Sequence, residues 1–214
     1  MSGPMATIPE ILALGPVMPV IVIDDAARAV PLAQALLAGG IRTIEITLRT
    51  PAALDAIRAV AADCPDITVG AGTVNNAALA RQARDAGAAF AVSPGTTAAV
   101  IRGCAEAGLP LLPGAATVSE MMELQDAGFT AMKFFPANAA GGINFIKALA
   151  SPLPDISFCP TGSITQDSAA DWLALPNITC VGGSWVASQA AIADGGFTDI
   201  TARARAAATL RAAI

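Results

Sequence analysis

Short apolar runs alternate with alanine-rich segments along this 214-residue chain, with one run about every 20–25 residues. The apolar runs have the length and the residue types of buried strands, and glycine or proline flanks several of them. The predicted strands are Val17–Ile23, Thr43–Thr47, Ile67–Gly70, Ala89–Val92, Leu109–Leu112, Ala131–Phe134, Ile156–Cys159 and Ile178–Val181.

The alanine-rich segments between these runs predict helices. Several of them stop at a glycine directly before the next apolar run, as at Gly39-Gly40, Gly87, Gly108 and Gly128. A glycine in this position commonly ends a helix that leads into a strand. The predicted helices are Ile8–Leu14, Ala26–Ala38, Ala52–Ala62, Ala77–Ala86, Thr97–Ala107, Val118–Ala127, Ile143–Ala150, Gln166–Leu173 and a closing helix over Asp199–Ile214.

This alternation favours parallel strands joined by helical crossovers. Eight such units close naturally into a barrel, so the sequence predicts an α/β fold consisting of a (β/α)8 TIM barrel with an extra N-terminal helix. No linker or change of composition divides the chain, and we expect a single TIM-barrel domain over residues 1–214. A doubly wound open sheet uses the same units and is the alternative. Its dinucleotide loop has only one weak match, because Gly70-Ala71-Gly72-Thr73-Val74-Asn75 lacks the third glycine.

The chain contains no histidine and no tyrosine, and this limits the chemistry available to it. Catalytic triads with histidine, histidine metal sites and acid–base catalysis by histidine or tyrosine are excluded. The four cysteines are far apart in sequence, so we expect reduced, packed thiols. Lysine, carboxylates, arginine, hydroxyls and the backbone remain to carry any reaction.

Charge and hydropathy exclude two kinds of partner. The net charge is −5 and no basic cluster is present, which argues against nucleic acid. No apolar run approaches the ~20 residues that a membrane span needs. The stretch Met1–Thr7 has no basic region of the kind that begins a secretory signal, so we expect a cytoplasmic protein without membrane contact.

Lys133 is the most unusual polar residue, because it lies in the apolar run Ala131–Phe134 and is followed by Phe135 and Pro136. A buried ammonium group is costly unless it is paired or gives up its proton. A neutral amine is a nucleophile toward ketones, which points to Schiff-base chemistry. The alternative is a structural lysine that pairs with a carboxylate or reaches the rim of its strand. Lys147, the only other lysine, falls on a predicted amphipathic helix.

Glu45 is the candidate partner of Lys133. The strand Thr43–Thr47 alternates isoleucine with polar residues, so Glu45 faces the interior if the isoleucines face the helices. A carboxylate beside an imine-forming amine can move protons. A purely structural pair of Lys133 and Glu45 is the alternative.

Further polar residues follow the predicted strands, where parallel α/β folds gather their functional groups. Arg49 follows the second strand and can hold a carboxylate with its guanidinium fork, and Thr73 can add a hydroxyl nearby. The loops Pro160–Ile164 and Gly182–Trp185 follow the last two strands, and we expect the second of them to open a helix. Their glycines let backbone N–H groups approach an anion such as phosphate. Neither loop contains lysine or arginine.

With these residues in place, the chain resembles the class I aldolases of 2-keto-3-deoxy-6-phosphogluconate (KDPG), including forms that also cleave 4-hydroxy-2-oxoglutarate (KHG). Several motifs in the same order carry the resemblance across nearly the whole chain. They are Glu45-Ile46-Thr47-Leu48-Arg49-Thr50, Gly70-Ala71-Gly72-Thr73-Val74, Ser93-Pro94-Gly95, Met132-Lys133-Phe134-Phe135-Pro136-Ala137, Pro160-Thr161-Gly162 and Gly182-Gly183-Ser184-Trp185.

The resemblance implies a role for each matched residue. Lys133 would form the Schiff base and Glu45 would be the general acid and base. Arg49 and Thr73 would hold the substrate carboxylate. The remaining substrate-binding residues would be Pro94, Phe135 and Thr161 along the pocket and Gly162, Gly183 and Ser184 around the phosphate. The resemblance also implies a homotrimer of the Entner–Doudoroff pathway that needs no metal or cofactor.

Two positions bear on the substrate that this resemblance implies. Ser163 stands where the family usually has a second glycine, and its side chain either crowds a phosphate or adds a hydroxyl donor to the site. Thr47-Leu48-Arg49 favours the gluconate substrate, because related galactonate aldolases lack this triplet. A related aldolase for galactonate-series or unphosphorylated acids is an alternative. A phosphosugar isomerase or epimerase, and a protein that only binds a phosphorylated acid, are the others.

Overall fold

The computed structural model describes residues 6–210, which form nine strands and ten α-helices within that range. All strand pairs are parallel. The strands are β1 (Val17–Ile21), β2 (Thr43–Thr47), β3 (Thr68–Gly72), β4 (Phe90–Val92), β5 (Leu111–Leu112), β6 (Gly114–Ala115), β7 (Ala131–Phe134), β8 (Ser157–Pro160) and β9 (Val181–Gly183).

Helices connect successive strands, and a short 3-10 helix over Ala26–Arg28 leads into the second of them. The α-helices are α1 (Ile8–Leu12), α2 (Ala29–Ala38), α3 (Ala53–Asp63), α4 (Ala77–Asp85), α5 (Ala98–Glu106), α6 (Val118–Asp126), α7 (Gly142–Ala148), α8 (Gln166–Leu173), α9 (Gln189–Ala193) and α10 (Phe197–Ala208). The extra N-terminal helix is therefore present. The closing helix ends earlier than predicted, and residues 211–214 of that prediction lie outside the described residues.

The expectation of a closed eight-stranded TIM barrel is wrong. Over residues 6–210 the strands form two sheets, one of six strands in the order β5-β4-β3-β2-β1-β9 and one of three in the order β6-β7-β8. The alternative of one doubly wound open sheet is not observed either, because the strands are divided between two sheets. The chain is an α/β fold built from strand–helix units whose ladder is interrupted at two places.

The first interruption lies at Pro113, between β5 and β6. β5 pairs with β4, whereas β6 pairs with β7, so the chain changes sheets within one residue. Proline has no N–H group and cannot continue a ladder as a donor. The Pro113 carbonyl instead accepts from the backbone N–H of Lys133 at 2.8 Å. The predicted strand Leu109–Leu112 is therefore only the first part of a strand that breaks and resumes.

The second interruption lies between β8 and β9. Only isolated bridges join them, at Phe158 with Ile178 and at Thr161 with Gly182. β9 begins three residues later than predicted, and the segment before it follows turn geometry around Asn177. The Asn177 side-chain amide donates to the Ile146 carbonyl at 2.9 Å, which ties this segment to α7 instead of to a continuous ladder.

Two apolar clusters fill the fold. The larger one, the outer cluster, lies between the strands and the helices and includes Ile44, Ile46, Met132 and Phe134. A second, inner cluster lies on the other face of the strands and includes residues of α1. Its members are Ile8, Ile11, Leu12, Met18, Phe90, Val92, Leu112, Ala131, Cys159 and Cys180. Alternate residues of one strand thus serve different clusters, as strand geometry requires.

The four cysteines are buried thiols, as predicted, and none of them forms a disulfide. Burial raises the pKa of the Cys104 thiol to about 11. Across residues 6–210, every helix is too short or too polar to span a lipid bilayer.

Candidate active site

Strand alternation places Glu45 on the inner face. Ile44 and Ile46 belong to the outer cluster, so Thr43, Glu45 and Thr47 point the other way. All five residues of β2 are buried, and Glu45 is only 2% exposed. The Thr47 hydroxyl donates to the Ile21 carbonyl at 2.8 Å, which satisfies that polar group within the fold.

The space for the Glu45 carboxylate comes from a glycine on the neighbouring strand. Gly72 of β3 is the register partner of Thr47, and a β-carbon at residue 72 would overlap the Glu45 carboxylate. Gly70, two residues earlier, is covered in the same way by the ring of Phe90. Neither glycine has a positive φ, so both are present for close packing and not for backbone freedom.

Lys133 lies on β7 of the smaller sheet and also faces inward. Its neighbours in register are Gly114 of β6 and Cys159 of β8. Met132 and Phe134 on either side pack into the outer cluster. The ammonium group therefore enters the interior just above the apolar residues of the inner cluster, and Lys133 as a whole is 3% exposed.

Lys133 and Glu45 form a buried ion pair that joins the two sheets. Lys133 Nζ donates to Glu45 Oε1 at 3.2 Å and to Oε2 at 3.4 Å, across 88 residues of sequence. The ring centroid of Phe135 lies 5.4 Å from Nζ, close enough for a cation–π contact. Burying two charges is expensive, and an apolar pair of the same volume often stabilises a fold equally well. Lys133 lines a cavity and Glu45 contacts it from outside the lining, so the pair is placed for a functional role.

A cavity of about 230 Å³ opens at the carboxyl ends of the strands, with Lys133 in its wall. It brings together most of the residues that the sequence singled out. The lining residues are Val20, Val22, Arg49, Lys133, Phe135, Thr161, Gly162, Ser163, Ile164, Gly182, Gly183 and Ser184.

Arg49 and Thr73 form a pair at the mouth of this cavity. Arg49 Nε donates to the Thr73 hydroxyl at 2.9 Å. Thr73 has a φ of 61°, in the left-handed region that costs a non-glycine residue roughly 1–2 kcal/mol. Thr73 is not itself part of the cavity lining, so it contacts the site through the arginine. The remaining guanidinium N–H groups can receive a carboxylate.

Pro94 lies outside the cavity lining. Its backbone packs against Gly114, where a β-carbon would meet the carbonyl group of Pro94. The buried Ser93 hydroxyl accepts from the Gly114 N–H at 3.2 Å. Since Gly114 pairs with Lys133, this loop supports the lysine strand at the point where the ladder changes sheets.

The far end of the cavity is formed by the two glycine-containing loops. Gly162 has a φ of 114° and Ser163 a φ of 56°, so Ser163 takes up a left-handed conformation that a glycine would adopt without strain. Gly182 leaves room for the Thr161 hydroxyl. The expectation that Gly182–Trp185 opens a helix is wrong, because β9 continues through Gly183 and the next helix begins only at Gln189.

Sequence reasoning missed several residues of the site. Val20 and Val22 line the cavity from β1 and its end, and nothing distinguishes them in sequence from core valines. Gly72 appears in the sequence analysis only within glycine-containing motifs, and its role as the space for a carboxylate was not predicted. Among residues 6–210, no three cysteine, aspartate or glutamate side chains cluster as metal ligands would.

These features define an α/β enzyme whose site presents a lysine amine, paired with a carboxylate, to a small acidic molecule. The sequence model of the KDPG and KHG aldolases matches residues 8–203. The chain therefore belongs to the KDPG and KHG aldolase family, and the resemblance drawn from the motifs is confirmed. This result also removes the isomerase and the binding-protein alternatives.

Named relatives agree with the family. The 2-dehydro-3-deoxy-phosphogluconate aldolase of Pseudoalteromonas atlantica is 49% identical over 196 residues, which cover 92% of this chain and 91% of that protein. The KDPG aldolase of Legionella pneumophila, solved with pyruvate as a covalent carbinolamine, has a TM-score of 0.91 at 44% identity and covers 94% and 97% of the two chains. The Zymomonas mobilis enzyme with 3-phosphoglycerate has a TM-score of 0.88 at 45% identity, covering 97% of each chain.

Proposed function

We propose that this chain cleaves KDPG to pyruvate and glyceraldehyde 3-phosphate through a Schiff base on Lys133. The observation that carries the proposal is the buried contact of Lys133 Nζ with both carboxylate oxygens of Glu45, at the wall of a cavity with Arg49 at its mouth. An amine held beside a proton acceptor can be deprotonated where it meets a ketone. This pairing of nucleophile and base is the arrangement that covalent catalysis requires.

The reaction begins when the neutral amine of Lys133 attacks the C2 ketone of the substrate to give a carbinolamine. Loss of water, with Glu45 as the proton donor, leaves a protonated imine. The C3–C4 bond then breaks, and its electron pair moves into the imine to form an enamine. Glu45, directly or through a water molecule, takes the proton of the C4 hydroxyl as the aldehyde forms. Division into covalent steps replaces one high barrier with lower ones.

The cycle closes on the same two residues. The enamine takes a proton at C3, which regenerates an imine of pyruvate, and water hydrolyses this imine to free pyruvate and the lysine amine. Proton transfer by a positioned carboxylate contributes about 10²–10⁴-fold to such reactions. No proton donor or acceptor other than Glu45 contacts Lys133 Nζ in the described side-chain hydrogen bonds.

Substrate orientation follows from the two ends of the cavity. The Arg49 guanidinium, oriented by Thr73, holds the carboxylate next to the reacting ketone. Phe135 and Thr161 flank the carbon chain, and Pro94 acts through the strand that carries Lys133. The phosphate lies at Gly162, Ser163, Gly183 and Ser184, where neutral donors replace lysine and arginine.

A second substrate, KHG, shares the keto acid end that Lys133, Glu45 and Arg49 receive. The cavity needs no change at this end to accept it, and cleavage would give pyruvate and glyoxylate. Both reactions therefore pass through the same enamine and imine of pyruvate.

We further propose the homotrimer that the resemblance implies, and exposed apolar residues on α6 support an interface. Val118 and Met122 lie four residues apart and are 36% and 53% exposed. Light scattering in solution should give the mass of three chains, and the mass of one chain would contradict the trimer. The cytoplasmic location stays a prediction.

The test compares the only two lysines. Lys133→Ala removes the nucleophile and should abolish KDPG cleavage in an assay that measures pyruvate release. Lys147→Ala, which changes an exposed lysine of α7, is the matched control and should keep turnover near that of the unmodified protein. Turnover that survives in Lys133→Ala would refute the imine mechanism.

A further inference from the structure

The loop at the far end of the cavity is held by a residue that the mechanism does not use. Asn138 follows β7, and its side-chain Nδ2 donates to the Ser163 carbonyl at 2.7 Å, across 25 residues of sequence. One residue earlier, the backbone N–H of Ala137 donates to the Thr161 carbonyl at 2.8 Å. The segment that follows the lysine strand therefore supports the loop that follows β8 at two points.

The hydrogen bond from Asn138 is made to a residue whose backbone conformation is strained. Ser163 has a φ of 56° and directly follows Gly162 at 114°. A non-glycine residue stays in the left-handed region only where its surroundings favour that conformation. The amide of Asn138 supplies such a constraint because it holds the carbonyl of the strained residue itself. Both Gly162 and Ser163 line the cavity, so their conformation sets its shape.

The conformation of this loop affects anion binding because the loop offers only neutral hydrogen-bond donors. The loops Pro160–Ile164 and Gly182–Trp185 contain no lysine or arginine, so the groups that these loops offer to an anion are neutral. Backbone N–H groups and hydroxyls act only within hydrogen-bonding distance, and a small shift of the loop removes them. Lys133 on β7 and Arg49 after β2, which receive the keto acid, lie outside both loops.

We propose that Asn138 is a positioning residue that sets the preference for a phosphorylated substrate by holding Ser163 in its left-handed conformation. The proposal rests on the proposed function and adds to it the residue that controls the phosphate end. Asn138 does not touch the reacting atoms. We expect its effect only at the part of the cavity that binds the phosphate.

The experiment measures KM and kcat of Asn138→Ala for KDPG and for the same acid without phosphate. Loss of one hydrogen bond that positions the loop should raise KM for KDPG about tenfold and leave kcat within about twofold. The kcat/KM for unphosphorylated 2-keto-3-deoxygluconate should stay nearly constant. Asn144→Ala, which changes an exposed asparagine of α7 outside the cavity lining, is the matched control and should change neither substrate.

A second pair of variants separates positioning from a general loss of structure. In Ser163→Gly the left-handed conformation no longer needs support. Adding Asn138→Ala to Ser163→Gly should therefore cost much less than the tenfold seen with serine at residue 163. Melting temperatures measured on the same samples show whether any variant is globally destabilised.

Equal losses on both substrates, or the same loss with serine and with glycine at residue 163, would overturn the positioning role. An unchanged KM for KDPG in Asn138→Ala would do the same. Trapping of pyruvate by borohydride keeps this result distinct from the proposed function. If the unmodified protein traps no pyruvate the aldolase mechanism fails, whereas normal trapping with no change in substrate preference refutes only the role of Asn138.

Discussion

At the residue scale, the contact between the Glu45 carboxylate and the Lys133 amine depends on the absence of a side chain at Gly72. Glu45 reaches Lys133 through space that Gly72 leaves open, because a β-carbon there would overlap the carboxylate. All five residues of this strand are buried, so close packing restricts the movement of the side chain. The position of Glu45, the proposed catalytic acid, therefore depends on its neighbour on β3.

Gly72→Ala tests this requirement. The added methyl group should displace Glu45 from Lys133, lower kcat/KM at least tenfold, and destabilise the fold by about 1–3 kcal/mol through overpacking. Gly15→Ala is the control, because a β-carbon at residue 15 meets nothing within 4 Å. Steady-state kinetics and urea unfolding measure both effects. An active, fully stable Gly72→Ala would show that the carboxylate does not need this space.

Glu45→Gln tests the proton transfers. The amide keeps the shape of the side chain but cannot accept a proton, so kcat should fall by about 10²–10⁴-fold. Slow formation of the pyruvate imine should remain, since Lys133 is intact. Glu106→Gln, at an exposed position on α5, controls for the loss of one negative charge. An undiminished kcat in Glu45→Gln would remove this residue from the mechanism.

The contact between Lys133 and Glu45 could be predicted from sequence, because a lysine and a glutamate inside apolar strands are chemically conspicuous. Arg49 and Thr73 were predicted to act together and form a hydrogen bond at 2.9 Å. Gly72, Val20 and Asn138 could not be found in this way. Their roles depend on which strands and loops approach one another, and that information is absent from local patterns.

At the element scale, α6 connects the sheet break to the lysine strand, and its first turn is closed by its own side chains. Glu120 Oε2 accepts from the backbone N–H of Ala116 at 2.8 Å and of Thr117 at 2.9 Å. In return, the Thr117 hydroxyl accepts from the Glu120 N–H. This reciprocal arrangement is a capping box. The hydrogen bond from the Ala116 backbone, the largest influence, lowers the pKa of the Glu120 carboxyl below its ordinary value of 4.5.

This shift predicts a pH dependence of stability. A carboxyl whose pKa is lower in the folded state stabilises the fold above its unfolded pKa, and the contribution is lost as the pH falls through the folded pKa. The difference in unfolding free energy between the unmodified protein and Glu120→Gln should therefore be full above pH 4.5 and shrink below it. Urea unfolding at several pH values measures it. Glu123→Gln, further along α6, is the control, and an identical pH profile for both variants would contradict the cap.

Most elements could be predicted from periodicity, and the misses have physical causes. The predictions for β2, β7 and α8 agree with the structure to the residue. The break at Pro113 was missed because a proline at the end of an apolar run can equally mark the end of one strand. The five-residue helix α9 is too short to show a helical period.

At the scale of the whole molecule, the predicted site residues come together although the predicted closed barrel is wrong. The strands divide into sheets of six and three instead of closing into one barrel. In both arrangements parallel strands end on the same side, so residues that follow them converge. The Lys133–Glu45 pair then forms across the two sheets, with β7 contributing the amine and β2 the carboxylate. Whether the strands close into one continuous ladder depends, in contrast, on local hydrogen bonds at Pro113 and Asn177. The periodicity of apolar residues in the sequence does not indicate these hydrogen bonds.

The most direct test of the account is to treat the protein with pyruvate and borohydride and to locate the modified residue by peptide mass spectrometry. An imine on Lys133 should be reduced to a stable secondary amine, so one reduced pyruvyl group should appear on the peptide that contains Lys133 and none on the peptide that contains Lys147. The same treatment of Lys133→Ala should leave the protein unmodified. A protein that turns over KDPG but acquires no mass at Lys133 would contradict the covalent mechanism.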